Sequence, residues 1–399
     1  MVIVAGILVL LVAGLLWGRL PAEQLFAAAL AGVYLGTGLP LDTLLGGFIN
    51  PALVSLALLL MATKVLERTP WLRQLAESLG KGAGRLGLVT ALLSSVMNNT
   101  AVVAALLPML ERHPQARRLL LPLSYAALLG GTLTLVGTST NLVVNSFLVA
   151  AGLPPLGLFD FFFLALPVVA LCLLYLSVAS RWLPHQGLPA GSPRLELNSP
   201  LSGYKAWLPL PLFALALGLV ALGVLDLIQA MLIFLILAMV LNLTSPAQFL
   251  ARFPWRLVVV IGSALGLAGA MEASGLAAWL AESLLAPLGE QGVWVSFLGL
   301  YATTWLLTEL VTNNAAAALM LPLALTLARA LGVEPVSFAM VVLFGASAAF
   351  LNPYGYQTHM LVQSVLPQGR RPFLMLGLPL GLIYGAGVLL SIPLYFPLR

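Results

Sequence analysis

Two short stretches set amides and hydroxyls inside otherwise greasy sequence: SVMNNTAVVAALLP at 95–108 and VTNNAAAALMLP at 311–322. Two more, GTSTN at 137–141 and NPYGY at 352–356, place Gly, Pro and small polar residues where a long apolar helix would otherwise run. Asn, Ser and Thr oxygens beside unwound carbonyls suit a hard cation such as sodium, and the free N–H groups of a half-helix N-terminus attract an anion. No Lys or Arg falls in any of the four stretches. An anion there would be held by amides, hydroxyls and helix ends, with bound cations supplying positive charge. A lone Asn in such a helix usually serves as hydrogen-bonding glue between helices. The doublets Asn98–Asn99 and Asn313–Asn314, each followed by an Ala-rich run and a Pro, point instead to binding loops. Glu309 is the one carboxylate near either doublet; it could face a water-filled vestibule, pair with a hydroxyl or titrate. His359 reads as readily as packing as chemistry, and His113 and His185 fall in loops.

Composition says what must position these residues. Of 399 residues, 61% are hydrophobic and 8% charged, more apolar than a soluble surface permits. Apolar runs of 17 or more residues recur, long enough to cross a hydrocarbon core of about 30 Å as helices. The chain reads as helices at 2–19, 22–40 and 47–66, a broken pair at 86–112, then 119–150 and 158–183. A Pro/Gly/Ser-rich linker at 184–205 follows. After it come 206–224, 226–246, 255–272, a broken pair at 293–326, then 335–365 and 373–396. Amphipathic stretches at 71–85 and 274–290 precede the broken pairs and read as interfacial arms or anchors. The first apolar run lacks a basic n-region and a small-residue cleavage site, so it reads as a retained helix. The lone cysteine, Cys172, excludes a disulfide framework.

The two halves have the same shape and share anchors. LERTPWLRQLAESL (66–79) aligns with MEASGLAAWLAESL (271–284), Asn99 and Pro108 with Asn313 and Pro322, and Gly130 with Gly345. If each broken pair enters and leaves by one side, each half crosses the membrane five times, and an odd number inverts the second half. That threading delivers sixteen of the 18 basic residues to one face, leaving Arg329 and Arg399 on the other. The bias places both termini outside the cytoplasm. The fold class is therefore an all-α integral membrane protein, with about ten transmembrane helices plus two re-entrant hairpins in two inverted repeats. Interrupted helices at matching points of inverted repeats are the pattern of a secondary transporter binding at the midplane. The net charge of +5 reports topology, and no nucleic-acid partner is implied.

At LSSVMNNTAVVAALLP, LLPLSYAALLGGTLTLVGTSTNLVVN, LTELVTNNAAAALMLP and NPYGYQTHMLV the chain resembles the divalent anion/sodium symporter family, its sulfate-transporter-like branch, within the wider ion transporter superfamily. The resemblance covers nearly the whole chain. It implies a homodimer in the cell membrane lipid that works as an elevator. Residues 1–85 and 206–290 would be scaffold; residues 86–183 (hairpin 86–112) and 291–399 (hairpin 293–326) would carry the site, with the linker 184–205 between. It further implies two sodium sites, one using Ser94, Asn98, Asn99 and Gly137, the other Thr308, Val311, Asn313 and Asn352. The anion would sit near Asn99, Thr100, Thr138, Ser139, Asn313, Asn314 and Pro353. The family's Ser-Asn-Thr signatures are replaced here by Asn-Asn-Thr and Thr-Asn-Asn, a departure that suits a small inorganic anion better than a dicarboxylate. Longer members carry soluble domains between the halves, for which a linker of 22 residues leaves no room.

The reading that follows is sodium-coupled uptake of a divalent anion, sulfate first and a dicarboxylate second. The alternative is a cation/proton antiporter or arsenite permease of the same superfamily, for which Glu309 would be the titratable group. An enzyme has little support, since H-E-x-x-H and G-x-S-x-G are both missing.

Overall fold

The computed structural model describes residues 1–66, 69, 83–110, 115–183, 203–251, 253–285, 292–365 and 369–398. Most of the linker (184–202) and of the first amphipathic stretch (71–82) lie outside the described residues. The first half consists of α1 (Val2–Trp17), α2 (Ala22–Thr37), a short α3 (Leu41–Leu45), α4 (Pro51–Leu66), α5 (Ala83–Ser94), α6 (Asn99–Leu110), α7 (Ala116–Gly131), α8 (Ser139–Ala150) and α9 (Phe162–Ala179). The second half repeats this order: α10 (Pro209–Ala221), α11 (Leu227–Val240), α12 (Pro246–Ala251), α13 (Trp255–Ala273), α14 (Leu276–Leu285), α15 (Gly292–Leu310), α16 (Asn313–Leu331), α17 (Pro335–Ala346), α18 (Gln357–Val365) and α19 (Arg370–Tyr395).

Leu- and Ala-rich runs favour helix, and a membrane leaves helix as the way to pair every backbone group internally. The ends are set by punctuation: Gly18 and Gly38 take the left-handed conformation that closes α1 and α2. Seven helical segments among the described residues are long and apolar enough to cross a membrane. Large apolar side chains such as Leu35, Leu222 and Leu394 point outward, as a lipid-facing surface requires. The chain is an all-helical membrane protein.

Packing repeats as the sequence does. α1 lies on α2 as α10 lies on α11; α5 and α6 pack on α7 as α15 and α16 pack on α17. Across the halves, α2 packs on α13 and its counterpart α11 on α4; α8 packs on α16 and its counterpart α18 on α6. α9 and α19 pack directly on each other, as elements beside a pseudo-twofold axis must. The α5–α6 and α15–α16 pairs each fold back on themselves as hairpins.

The centre is built from two interrupted elements. α7 and α8 together cover 116–150, and α17 and α18 cover 335–365, with breaks at 132–138 and 347–356 near their middles. At 1.5 Å per residue the helices flanking the first break rise about 24 and 18 Å. A hairpin tip that meets such a break therefore meets it about midway along the interrupted element. α7 from Leu119 to Gly131 and α17 from Ser337 to Ala346 are buried without exception, so the hairpins and outer helices wrap them on all sides.

Gly130 and Gly345, paired in the sequence, both mark close approaches. A Cβ on Gly130 would overlap the Ala91 carbonyl of α5, and one on Gly345 would stand 3.1 Å from the Thr304 side chain of α15. The helices facing them also match, since the Thr90 and Thr304 hydroxyls donate to the carbonyls of Leu86 and Leu300 at 2.7 and 2.6 Å. Gly218 of α10 has open space around it. Gly130→Ala should therefore lower the melting temperature of the detergent-solubilised protein by several degrees, an overpacking cost of about 1–3 kcal/mol. Gly218→Ala should leave it unchanged or raise it; equal effects of the two would contradict this packing.

Candidate functional site

Each hairpin tip is built by the same local chemistry. In the first, α6 starts at Asn99 after Asn98, whose Oδ1 accepts from the Thr100 amide at 2.9 Å. In the second, Thr312 caps α16 by accepting from the Ala315 amide at 3.3 Å. Short polar side chains at these positions satisfy the free N–H groups of the helix start. One register, position n with n + 214, relates Asn98 to Thr312, Asn99 to Asn313, Thr100 to Asn314 and Ser94 to Thr308.

The first asparagine of the first tip stands between the break of its own repeat and Tyr356 of the second break, while that of the second tip is tied to Thr308. The Asn99 amide stands 2.6 Å from the Ser94 hydroxyl, 3.1 Å from the Gly137 carbonyl and 3.2 Å from the Ala127 carbonyl, and its other end is 2.9 Å from the Tyr356 hydroxyl. Three oxygens converge on that inner amide atom. With nitrogen turned inward the amide donates to them; with oxygen inward, four oxygens face one another, the arrangement a hard cation bridges. In the second repeat the Thr308 hydroxyl lies 2.9 Å from Asn313 Oδ1 and 2.6 Å from the Ala346 carbonyl. The donor set is again hydroxyl, amide and main-chain carbonyl. No cluster of His, Cys, Asp and Glu suited to a transition metal occurs among the described residues.

The next residue of each tip crosses to the other repeat. The Thr100 hydroxyl donates to Gln357 Oε1 at 3.0 Å, at the start of α18. Asn314 holds Ser139, at the start of α8, through both ends of its amide at 3.1 and 3.2 Å, and accepts from the Thr140 hydroxyl at 3.2 Å. Thr138 is buried at the N-terminus of α8.

The second break is held by Glu309. Its Oε1 accepts from the amides of Phe350 and Leu351 at 2.8 and 2.9 Å, and its Oε2 from Asn352 at 2.9 Å. The Asn352 side chain returns a bond of 2.7 Å to the Glu309 carbonyl and accepts from the Tyr354 amide at 3.0 Å. The partners of the Glu309 carboxylate are backbone amides, a class of partner that residue types in the sequence do not announce. His359 is a packing residue, its Nε2 donating to the Ala349 carbonyl at 2.8 Å and its Nδ1 2.7 Å from the Ser124 hydroxyl. The Tyr125 hydroxyl donates to the Phe350 carbonyl at 2.7 Å.

The structure thus brings together Ser94, Asn99 and Gly137, and separately Thr308 and Asn313. It joins Thr100 to the second break, and Ser139 to Asn314. Asn98 is spent on capping α6, Asn352 is engaged by Glu309, Val311 uses its amide on Leu307, and Pro353 is buried in the second break. Thr140, Tyr356, Gln357, Ala127 and Ala346 join the site without having been singled out. Thr140 and Tyr356 belong to the polar stretches already noted; Ala127 and Ala346 offer only carbonyls, which no residue type announces. A cavity of about 470 Å³ lies elsewhere, between residues 43–51 and α13 on one side and α8 and α16 on the other, with the 2.9 Å Arg329–Glu272 ion pair at its wall.

If Ser139 and Asn314 couple the repeats, their alanine substitutions will not add. A double-mutant cycle on thermal stability should give a coupling of about 0.6 kcal/mol, up to about 1.7, as for hydrogen bonds between membrane helices. Strict additivity would contradict the bond.

A family described as citrate transporter matches residues 1–396 of the chain. An uncharacterized transporter of Synechocystis is 37% identical over 151 residues, which are 37% of this chain and 24% of that protein. Sodium/sulfate cotransporter 1 of Chlamydomonas reinhardtii is 36% identical over 126 residues, 31% of this chain and 14% of that protein. The chain thus spans only a minor part of these relatives' length. Among solved structures, the Alcanivorax borkumensis YdaH transporter shares the fold, with a TM-score of 0.66 at 16% identity over 91% of this chain and 88% of that one. Fold and family agree: the chain belongs to the citrate transporter family of the ion transporter superfamily, and the relatives and the solved structure it resembles are transporters.

Proposed function

We propose that this transporter moves a divalent anion, sulfate first, into the cell with sodium by alternating access. The observation that carries the reading is the pair of oxygen clusters at the tips, beside polar helix starts that lack any fixed positive charge. Ser94, Asn99 and Gly137, joined by the Ala127 carbonyl, would hold one sodium; Thr308 and Asn313, joined by the Ala346 carbonyl, would hold the other, with Asn98, Val311 and Asn352 shaping the loops around them. The anion would lie between, against Thr100, Thr138, Ser139, Asn314 and Pro353. Hydroxyls and amide N–H groups there donate to it, and the helix starts at Ser139 and Asn313 add their dipoles. Sodium supplies the positive charge that the chain itself omits, which couples the two bindings.

The remaining parts of the reading rest on the family resemblance and, for the termini, on the bias of basic residues to one face. The scaffold and site-carrying parts move as an elevator in a homodimer, in the cytoplasmic membrane with both termini outside. A second reading, transport of a dicarboxylate or citrate, is favoured by the description of the matching family. Cation/proton antiport is disfavoured because the Glu309 oxygens are already filled by backbone amides.

Labelled sulfate uptake into proteoliposomes tests the proposal. Uptake should require an inward sodium gradient, be lost when potassium replaces sodium even with a proton gradient imposed, and fall at least tenfold in Asn99→Ala or Asn313→Ala. Uptake that ignores sodium and follows protons would refute the coupling. Citrate displacing sulfate at far lower concentration would install the second reading.

A further inference from the structure

Position 309 corresponds to Ser95 on the register that pairs Asn99 with Asn313. Both positions join a hairpin tip to the break of their own repeat, with different chemistry. In the first repeat the join is neutral: the Thr134 hydroxyl donates to the Ser95 carbonyl. In the second it is acidic: the Glu309 carboxyl accepts from three consecutive amides, 350 to 352, the arrangement that suits its ionised form. The residue is buried, at 7% exposure. Among the described residues no basic side chain pairs with it. A buried carboxylate costs several kcal/mol unless its oxygens are satisfied. Three amides satisfy its hydrogen bonding without cancelling its charge.

That carboxyl and the second oxygen cluster engage the same stretch of the second repeat, residues 346 to 352. Thr308 is the adjacent residue, the Thr308 hydroxyl bridges to Asn313 and Ala346, and Asn352 bonds both to the carboxylate and to the Glu309 carbonyl. In surroundings of low dielectric, an unpaired negative charge acts strongly on a nearby cation. The first cluster, around Ser94, Asn99 and Gly137, consists of neutral hydroxyl, amide and carbonyl groups.

We infer that Glu309 is a positioning residue that makes the two sodium sites unequal: it pins the second break to its hairpin tip and raises sodium affinity there above that of the first repeat. This rests on the sodium-coupled reading given above. The second-repeat site fills first, and a near-symmetric fold acquires an order of binding.

The test is thermal unfolding of the detergent-solubilised full chain as sodium chloride replaces potassium chloride at constant ionic strength, without a transported anion. A ligand that binds the folded state alone raises the melting temperature. Wild type should be stabilised by sodium but not potassium; no sodium-specific rise would sink the coupling reading itself. Glu309→Gln should keep its elution volume and its melting temperature in potassium within a few degrees, while its sodium midpoint rises at least tenfold. Ser94→Ala should leave the tighter sodium phase in place. A Glu309→Gln protein that titrates like wild type, when wild type does respond, overturns the inference. Should that variant not fold, Glu309→Asp decides: a midpoint within about threefold of wild type supports a charge requirement, and a tenfold rise overturns it. Failure of both to fold also overturns it, because the carboxylate would then serve the fold alone.

Discussion

Everything in this structure answers to one constraint: a helix interrupted inside a membrane frees N–H and C=O groups that no water or lipid can pair. Four interruptions occur near the centre, two at hairpin tips and two in the long elements α7–α8 and α17–α18, and they are arranged to satisfy one another. Asn98 and Thr312 cap the second arm of each hairpin. Glu309 takes three amides of the second break, and Asn141 returns bonds to the carbonyls of Gly131 and Thr134 in the first, at 3.0 and 2.7 Å. Each unpaired group would cost several kcal/mol in hydrocarbon, so the polar residues are there before any ligand is considered. The same hydroxyl, amide and carbonyl groups gather at the two tips, and the proposed function has a cation use their oxygens.

Symmetry decides where these groups collect. An inverted repeat brings each hairpin to the interrupted element of its own half through Asn99 or Thr308, and to that of the other half through Asn99 and Thr100 or through Asn314. The crossing contacts hold only if α7 and α17 sit deep and close to the hairpins, which is what Gly130 and Gly345 allow. α9 and α19 close the assembly by packing on each other across the axis. Departures from symmetry then become informative, the clearest being a carboxylate at 309 where the first repeat has Ser95.

Much of the fold was legible in the sequence because it follows from hydrophobic length and repetition. The order of elements, the two hairpins, the breaks after Gly130 and Gly345 and the second amphipathic helix α14 all left residue-type signals, and the Asn doublets marked the tips. Boundaries were less visible: the helix read at 22–40 stops at Thr37 because Gly38 turns the chain, and the breaks read at 137–141 and 352–356 begin earlier, after Gly131 and Ala346. The site was legible only in part. Gly137 was named through a resemblance, but Ala127 and Ala346 act through carbonyls that every residue possesses. The pairings of Thr100 with Gln357 and Asn314 with Ser139 depend on how two inverted halves dock, which spacing within one half does not encode. The role of Glu309 was open among three environments because its partners are backbone amides of a loop 41 to 43 positions later.

The crossed contact between the first hairpin tip and the second break is the feature on which the account rests, and cross-linking measures it directly. In a Cys172→Ala background, with the protein still in its membrane, cysteines replacing Thr100 and Gln357 should form a disulfide under mild oxidation, as should cysteines replacing Ser139 and Asn314. Failure of both pairs to link, although each single cysteine reacts with a small thiol reagent, would show that the tips do not meet the opposite breaks and would contradict the architecture described.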